Sequence, residues 1–175
     1  MKKSIKSICI LVGICAVLAI LLALTNAITA PIIEKNQREA AYAALLEVMP
    51  EGQNFVELDL DSYTLDKSIK QVYVEDGGGY VFTVRTKGYA SGLLVMCAIS
   101  ADGTIAGTKV LSSAETPSIG GVAADVIAAQ LIGKTEDSAS SVDVVADATK
   151  TSEGYLRAVA LSYDAMEILK GAANE

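Results

Sequence analysis

From Ser7 through Ile33 the chain carries no charged side chain, and from Ile8 to Leu24 it is almost wholly aliphatic. A helix needs about 20 apolar residues to cross a bilayer, so the stretch Ile8–Ala27 is long enough to span one. Lys2, Lys3 and Lys6 precede it, whereas Glu34 and Glu39 follow with only Lys35 and Arg38 nearby. The positive-inside bias then leaves the N-terminus in the cytoplasm and the remainder outside. A cleaved signal peptide is the rival reading, with Asn26-Ala27-Ile28-Thr29-Ala30 as its small-residue cleavage region. The run is long for a signal sequence and flows into a helical pattern, which favours a retained anchor. Gly13, Ala16 and Ala19 give that anchor a small-residue face suited to close helix approach.

The rest of the chain narrows its chemistry by what it lacks. Of the 14 basic residues three are the leading lysines; the 11 that remain face 21 acidic residues, a net charge of −10. That argues against binding nucleic acid or anionic lipid through the outer domain. Cys9 and Cys15 lie in the apolar run, and Cys97 stands alone in a strand-like stretch. No pair has metal or disulfide-framework spacing. There is no histidine, which excludes a histidine-based triad and histidine-ligated zinc or haem within this subunit. Chemistry must come from a cofactor or a partner.

Along the chain, Pro31 allows a kink or break, and Glu34–Met49 reads as a helix with Ala41, Leu45, Val48 and Met49 on one stripe. It suits a stalk or equally the first helix of the domain, and Pro50-Glu51-Gly52 ends it. Phe55–Leu60 alternates as a strand would; Asp59 and Asp61 within it are too few ligands for a calcium loop. Ile69–Glu75 and Tyr80–Thr86 form a hairpin around Asp76–Gly79, and Leu93–Ser100 and Thr104–Leu111 a second around Ala101-Asp102-Gly103. After a polar Pro- and Gly-punctuated loop, Val122–Ile132 reads as a helix and Lys134–Ser141 as a mobile surface loop. Val142–Val145 reads as a last short strand. Ser152–Leu169 is a closing helix burying Leu156, Val159, Tyr163, Met166 and Leu169. The expected fold is α+β: one N-terminal transmembrane helix, then an extracytoplasmic domain with an antiparallel sheet of four or five strands flanked by helices. The expected boundaries are an anchor at 1–30, a helical stalk at 31–52 and a domain at 53–175.

The stretch Asp143–Ser152 joins the last apolar run to the closing helix. The first turn of a helix has unpaired N–H donors and a partial positive charge, so a hydroxyl there, on Thr149, suits a phosphate. Taken alone, the same stretch also reads as an ordinary helix cap supplied by Thr151-Ser152.

Two loops carry a resemblance. Asp143-Val144-Val145-Ala146-Asp147-Ala148-Thr149, followed by Lys150-Thr151-Ser152, is similar to the flavinylation motif of the FMN-binding domain family, Asp-x-x-Ser/Thr-Gly-Ala-Thr. Glu115-Thr116-Pro117-Ser118-Ile119-Gly120 resembles that family's Glu-Thr-Pro-Gly-hydrophobic-Gly loop. Gly88-Tyr89 and Asp102-Gly103 fall where the family has them, and the anchor extends the likeness to essentially the whole chain. The resemblance points to the G-subunit family of Rnf electron-transport complexes, and less closely to the C subunit of sodium-pumping NADH:quinone reductases.

The resemblance implies FMN joined by a phosphoester to the Thr149 hydroxyl and installed by a separate flavin transferase. It implies that Asp143, Ala148, Lys150, Thr151 and Ser152 surround the attachment point, with Glu115, Thr116, Pro117 and Tyr89 near the flavin. It also implies an electron-carrying subunit of an ion-translocating ferredoxin:NAD oxidoreductase, working beside other membrane and peripheral subunits. Where the family has Ser/Thr and Gly, this chain has Ala146 and Asp147, and Ser118 replaces a usual Gly. A flavin-free anchored structural or binding subunit is therefore the alternative.

Overall fold

The computed structural model describes the backbone of residues 2–89, 91–113 and 120–172, and their side chains except at 2–11, 24, 27, 28, 30–38 and 91. Glu115, Thr116 and Pro117 lie outside the described residues. Two compact units divide at Tyr42/Ala43.

The first unit is helical, the greater part of α1 (Lys2–Val48), whose backbone continues through Pro31. Val12, Val17 and Leu22 are exposed along it. The hydroxyls of Thr25 and Thr29 donate to the carbonyls of Leu21 and Thr25, each at 2.9 Å, so neither adds an unpaired polar group to the helix surface. Among the described residues, no helix is long and apolar enough to cross a membrane. The uncharged stretch from Ser7 extends into residues whose side chains lie outside the described set.

In the second unit, alternating β-branched and aromatic residues build an antiparallel meander of five strands in sequence order: β1 (Val56–Glu57), β2 (Ile69–Val74), β3 (Tyr80–Lys87), β4 (Ser91–Ile99) and β5 (Ile105–Ser112). Glycines make both expected hairpins possible. Gly78 has φ +87° and Gly103 φ +86°, left-handed positions that glycine fills without steric cost. At the second turn the Asp102 carboxylate accepts the Thr104 N–H at 2.9 Å and its hydroxyl at 2.7 Å. These bonds hold the Asp102 carboxyl below the usual carboxylate range.

The strand alternation sends two sets of apolar residues to opposite faces. Val72, Phe82, Val84, Val95, Cys97 and Ile99 pack against α2 (Val122–Leu131) and α4 (Thr149–Ala172). Val81, Met96 and Ala98 pack against Ala44, Leu45, Val48 and Met49, the end of α1. That second contact is close: a Cβ on Gly107 would stand 2.4 Å from the Val48 carbonyl oxygen. Glu47 and Lys109 form an ion pair at its rim. Each fully buried Val, Leu or Ile stabilises the domain by about 1.5–3 kcal/mol relative to exposure, so both layers belong to the core. The last turns of α1 are thus a structural part of the domain.

Several expected elements change. Phe55–Leu60 is a strand only at Val56 and Glu57, with one further bond from the Leu58 N–H to the Val72 carbonyl, because Asp59 then caps a 3-10 turn over Leu60–Ser62 by accepting the Asp61 N–H. Val142–Val145 is not a strand; it runs beside α4 outside the sheet. Lys134–Ser141 contains a short helix, α3 (Glu136–Ala139), started by reciprocal bonds between Thr135 and Ser138. The closing helix begins at Thr149, three residues before the expected start. Along it Val159, Tyr163, Met166 and Leu169 are buried as expected, while Leu156 is only half-buried; the stripe is completed by Tyr155, Ala158 and Ser162.

Candidate functional site

The start of α4 is built by hydrogen bonds among small residues. Ala148 holds the cap position, its carbonyl accepting the Ser152 N–H at 2.9 Å. Alanine has no side-chain oxygen to cap the donors of the first turn, so the usual stabilisation by Ser, Thr, Asp or Asn is missing. The preceding turn closes through the Ala148 N–H to the Val145 carbonyl at 3.2 Å. Its third residue, Asp147, has φ +63°. Left-handed backbone is unfavourable for most side chains, but Asp, like Asn, tolerates it. The position where the FMN-binding motif has glycine is therefore a left-handed position, and Asp147 meets that demand.

Thr149 is the first helical residue and is exposed, as are Lys150, Asp143 and Asp147. Ala148, Thr151 and Ser152 are buried. The Ser152 hydroxyl donates to the Ala148 carbonyl at 3.0 Å and accepts the Val145 N–H at 3.1 Å. It is turned into the junction, away from solvent, and it does not cap the helix: it stands inside the first turn. A helix start with alanine at the cap position, an exposed threonine at its first residue and Lys150 alongside fits a phosphate ester of Thr149.

A second stretch meets this helix start. Glycine costs a helix interior about 1 kcal/mol relative to alanine, yet Gly154 sits in the second turn of α4. A Cβ there would lie 2.7 Å from the Lys87 carbonyl oxygen and 3.0 Å from the Gly88 Cα. The Thr86 hydroxyl donates to the Gly154 carbonyl at 2.8 Å. The helix is thus seated directly on the end of β3 and the Gly88-Tyr89 turn. Tyr89 points outward, 77% exposed. Strand β5 ends at Ser112, paired with Leu94, so the chain enters the segment holding Glu115–Pro117 from this same end of the sheet. Sequence reasoning missed Gly154 and Thr86; the isolated glycine in a helical pattern was the available signal.

Elsewhere the ionisable groups are structural. Burial pushes the Cys97 thiol up to about 12 and the Tyr163 hydroxyl up to about 12; the latter donates to the Gly103 carbonyl at 2.9 Å. Tyr155, also raised by burial, donates to Thr108 at 2.8 Å. Among the described residues, no cluster of acidic and cysteine side chains forms a metal site.

The family match places the small α+β domain in an FMN-binding class of protein. The profile of the FMN-binding domain matches residues 88–164, from the Gly88-Tyr89 turn into α4, and that of the RnfG N-terminal region matches residues 1–48. Over 164 residues the chain is 34% identical to the G subunit of the Na(+)-translocating ferredoxin:NAD(+) oxidoreductase complex of Acetobacterium woodii, covering 86% of this chain and 78% of that protein. Two G subunits of ion-translocating oxidoreductase complexes, both from Cereibacter sphaeroides, are 37% and 36% identical over 109 residues, 58% of this chain and half the length of those relatives. The chain belongs to the family of Rnf complex G subunits.

Proposed function

We propose that this chain carries FMN as a phosphoester of Thr149 and serves as an electron-carrying membrane subunit of an ion-translocating ferredoxin:NAD oxidoreductase complex. The observation that carries the reading is the exposed Thr149 at the first position of a 24-residue helix whose cap position holds an alanine, Ala148. The match of the FMN-binding domain to residues 88–164 supports the cofactor, and the names of the relatives support the complex. Bound FMN supplies one- and two-electron chemistry. This chain's residues would hold and orient it: Lys150 would offset phosphodiester charge, Asp143 and Ala148 would shape the turn, and Tyr89 would lie beside the ring system, a place the family resemblance gives also to Glu115, Thr116 and Pro117.

The chain has no histidine to activate the Thr149 hydroxyl, which supports installation by a separate flavin transferase. Ile8–Ala27 anchors the protein in the membrane with the domain outside the cytoplasm, next to other subunits of the complex. A denaturing gel of protein made in cells that contain a transferase tests the attachment. Thr149 predicts a fluorescent flavin band for the wild type and none for Thr149→Ala; an unmodified wild type favours the flavin-free anchored subunit instead.

A further inference from the structure

We infer that Ser152 is the positioning residue of the tethered flavin: it acts on Thr149 through the backbone on either side of it, without contacting the cofactor. This rests on the reading of Thr149 as the attachment point. A phosphoester of threonine leaves the backbone through the Cα–Cβ and Cβ–O bonds before its own O–P bonds begin, so the point and direction from which the tether starts are set by how firmly that backbone is held. Ser152 is fully buried and bridges two groups. Its hydroxyl accepts the Val145 N–H, at the start of the turn, and donates to the Ala148 carbonyl, immediately before Thr149. Its own N–H donates to the same carbonyl. Three bonds from one residue therefore close the chain around Thr149, where Asp147 is held left-handed. Within the next turn, Gly154 seats α4 on the Gly88-Tyr89 turn. The attachment point at Thr149 is thereby held in register with the Gly88-Tyr89 turn.

Ser162 provides the control. It is also fully buried in α4, and its hydroxyl donates to the Ala158 carbonyl at 2.9 Å, the same four-residue spacing, but it is far along the helix from the junction. The test is time-resolved fluorescence anisotropy of the full-length flavinylated protein, read well below its melting temperature. The wild type retains most of its anisotropy through the picosecond-to-nanosecond range in which loose groups reorient. Ser152→Ala loses that residual anisotropy, Ser162→Ala keeps it despite a comparable fall in melting temperature, and Ser152→Thr, which retains the hydroxyl, restores it. Unchanged anisotropy in Ser152→Ala, or an equal loss in Ser162→Ala, overturns the inference. If Ser152→Ala does not fold, Ser152→Cys carries the same comparison. A wild type without covalent flavin overturns the underlying reading instead, before any variant is compared.

Discussion

The start of α4 and the remainder of the helix bury different chemistry. Its first six residues place Thr151, Ser152 and Gly154 inward, whereas from Tyr155 onward the inward side chains include Tyr155, Val159, Tyr163, Met166 and Leu169. The longer apolar part lies on the apolar face of the sheet and anchors the helix by area removed from water. The start gains little from area. It is held by directional contacts, the Ser152 bridge and the Gly154 seat, which fix where the helix begins and what it faces. Stability and placement are thus separated along one helix, and substitutions distinguish them.

The largest effect belongs to the apolar part. Leu169→Ala lowers unfolding free energy by about 2–5 kcal/mol, measured by chemical denaturation, and leaves flavin attachment intact. Gly154→Ala costs about 1–3 kcal/mol because its methyl meets the Lys87 backbone, overriding the ~1 kcal/mol that alanine gains in a helix. At Gly171, where nothing lies within 4 Å, the same substitution is neutral to stabilising. Equal effects at the two glycines would remove the seat from the account. At the junction, Asp147→Val costs about 1–2 kcal/mol through its left-handed backbone, while Asp147→Gly is tolerated and keeps the flavin.

Smaller effects follow from pH. Cys97 and Tyr163 have folded-state values raised to about 12, so the unfolded chain releases their protons first. The stability they contribute is full below their ordinary values, near 9 and 10, and is lost as pH rises from there toward 12. Asp66 and Asp102 are lowered by hydrogen bonds from Ser68 and Thr104; their exposed contribution is present above about pH 4 and fades below it. Thermal melts across pH check both edges, with the alkaline one the steeper.

The hairpins were legible because glycine at Gly78 and Gly103 marks turns that few other residues make. The junction was legible only in part. Val142–Val145 has strand composition, but a four-residue apolar run cannot declare its partner, and the Val145 amide is taken by a serine hydroxyl. Thr151-Ser152 looked like a cap because hydroxyls before an amphipathic stripe usually are; their burial shows only in three dimensions. Asp147 looked like a departure that puts charge where glycine belongs. Its positive φ shows what that position requires and that aspartate can meet it.

The central claim is that Thr149 carries the flavin. Peptide-level mass spectrometry of the full-length protein, made alongside a flavin transferase, tests it most directly. One FMN phosphoester is expected on the peptide spanning the start of α4, located to Thr149 and absent from Thr149→Ala, whose stability changes by no more than about 0.5 kcal/mol. Flavin located on Thr151, or an unmodified Thr149 in the wild type, would contradict it.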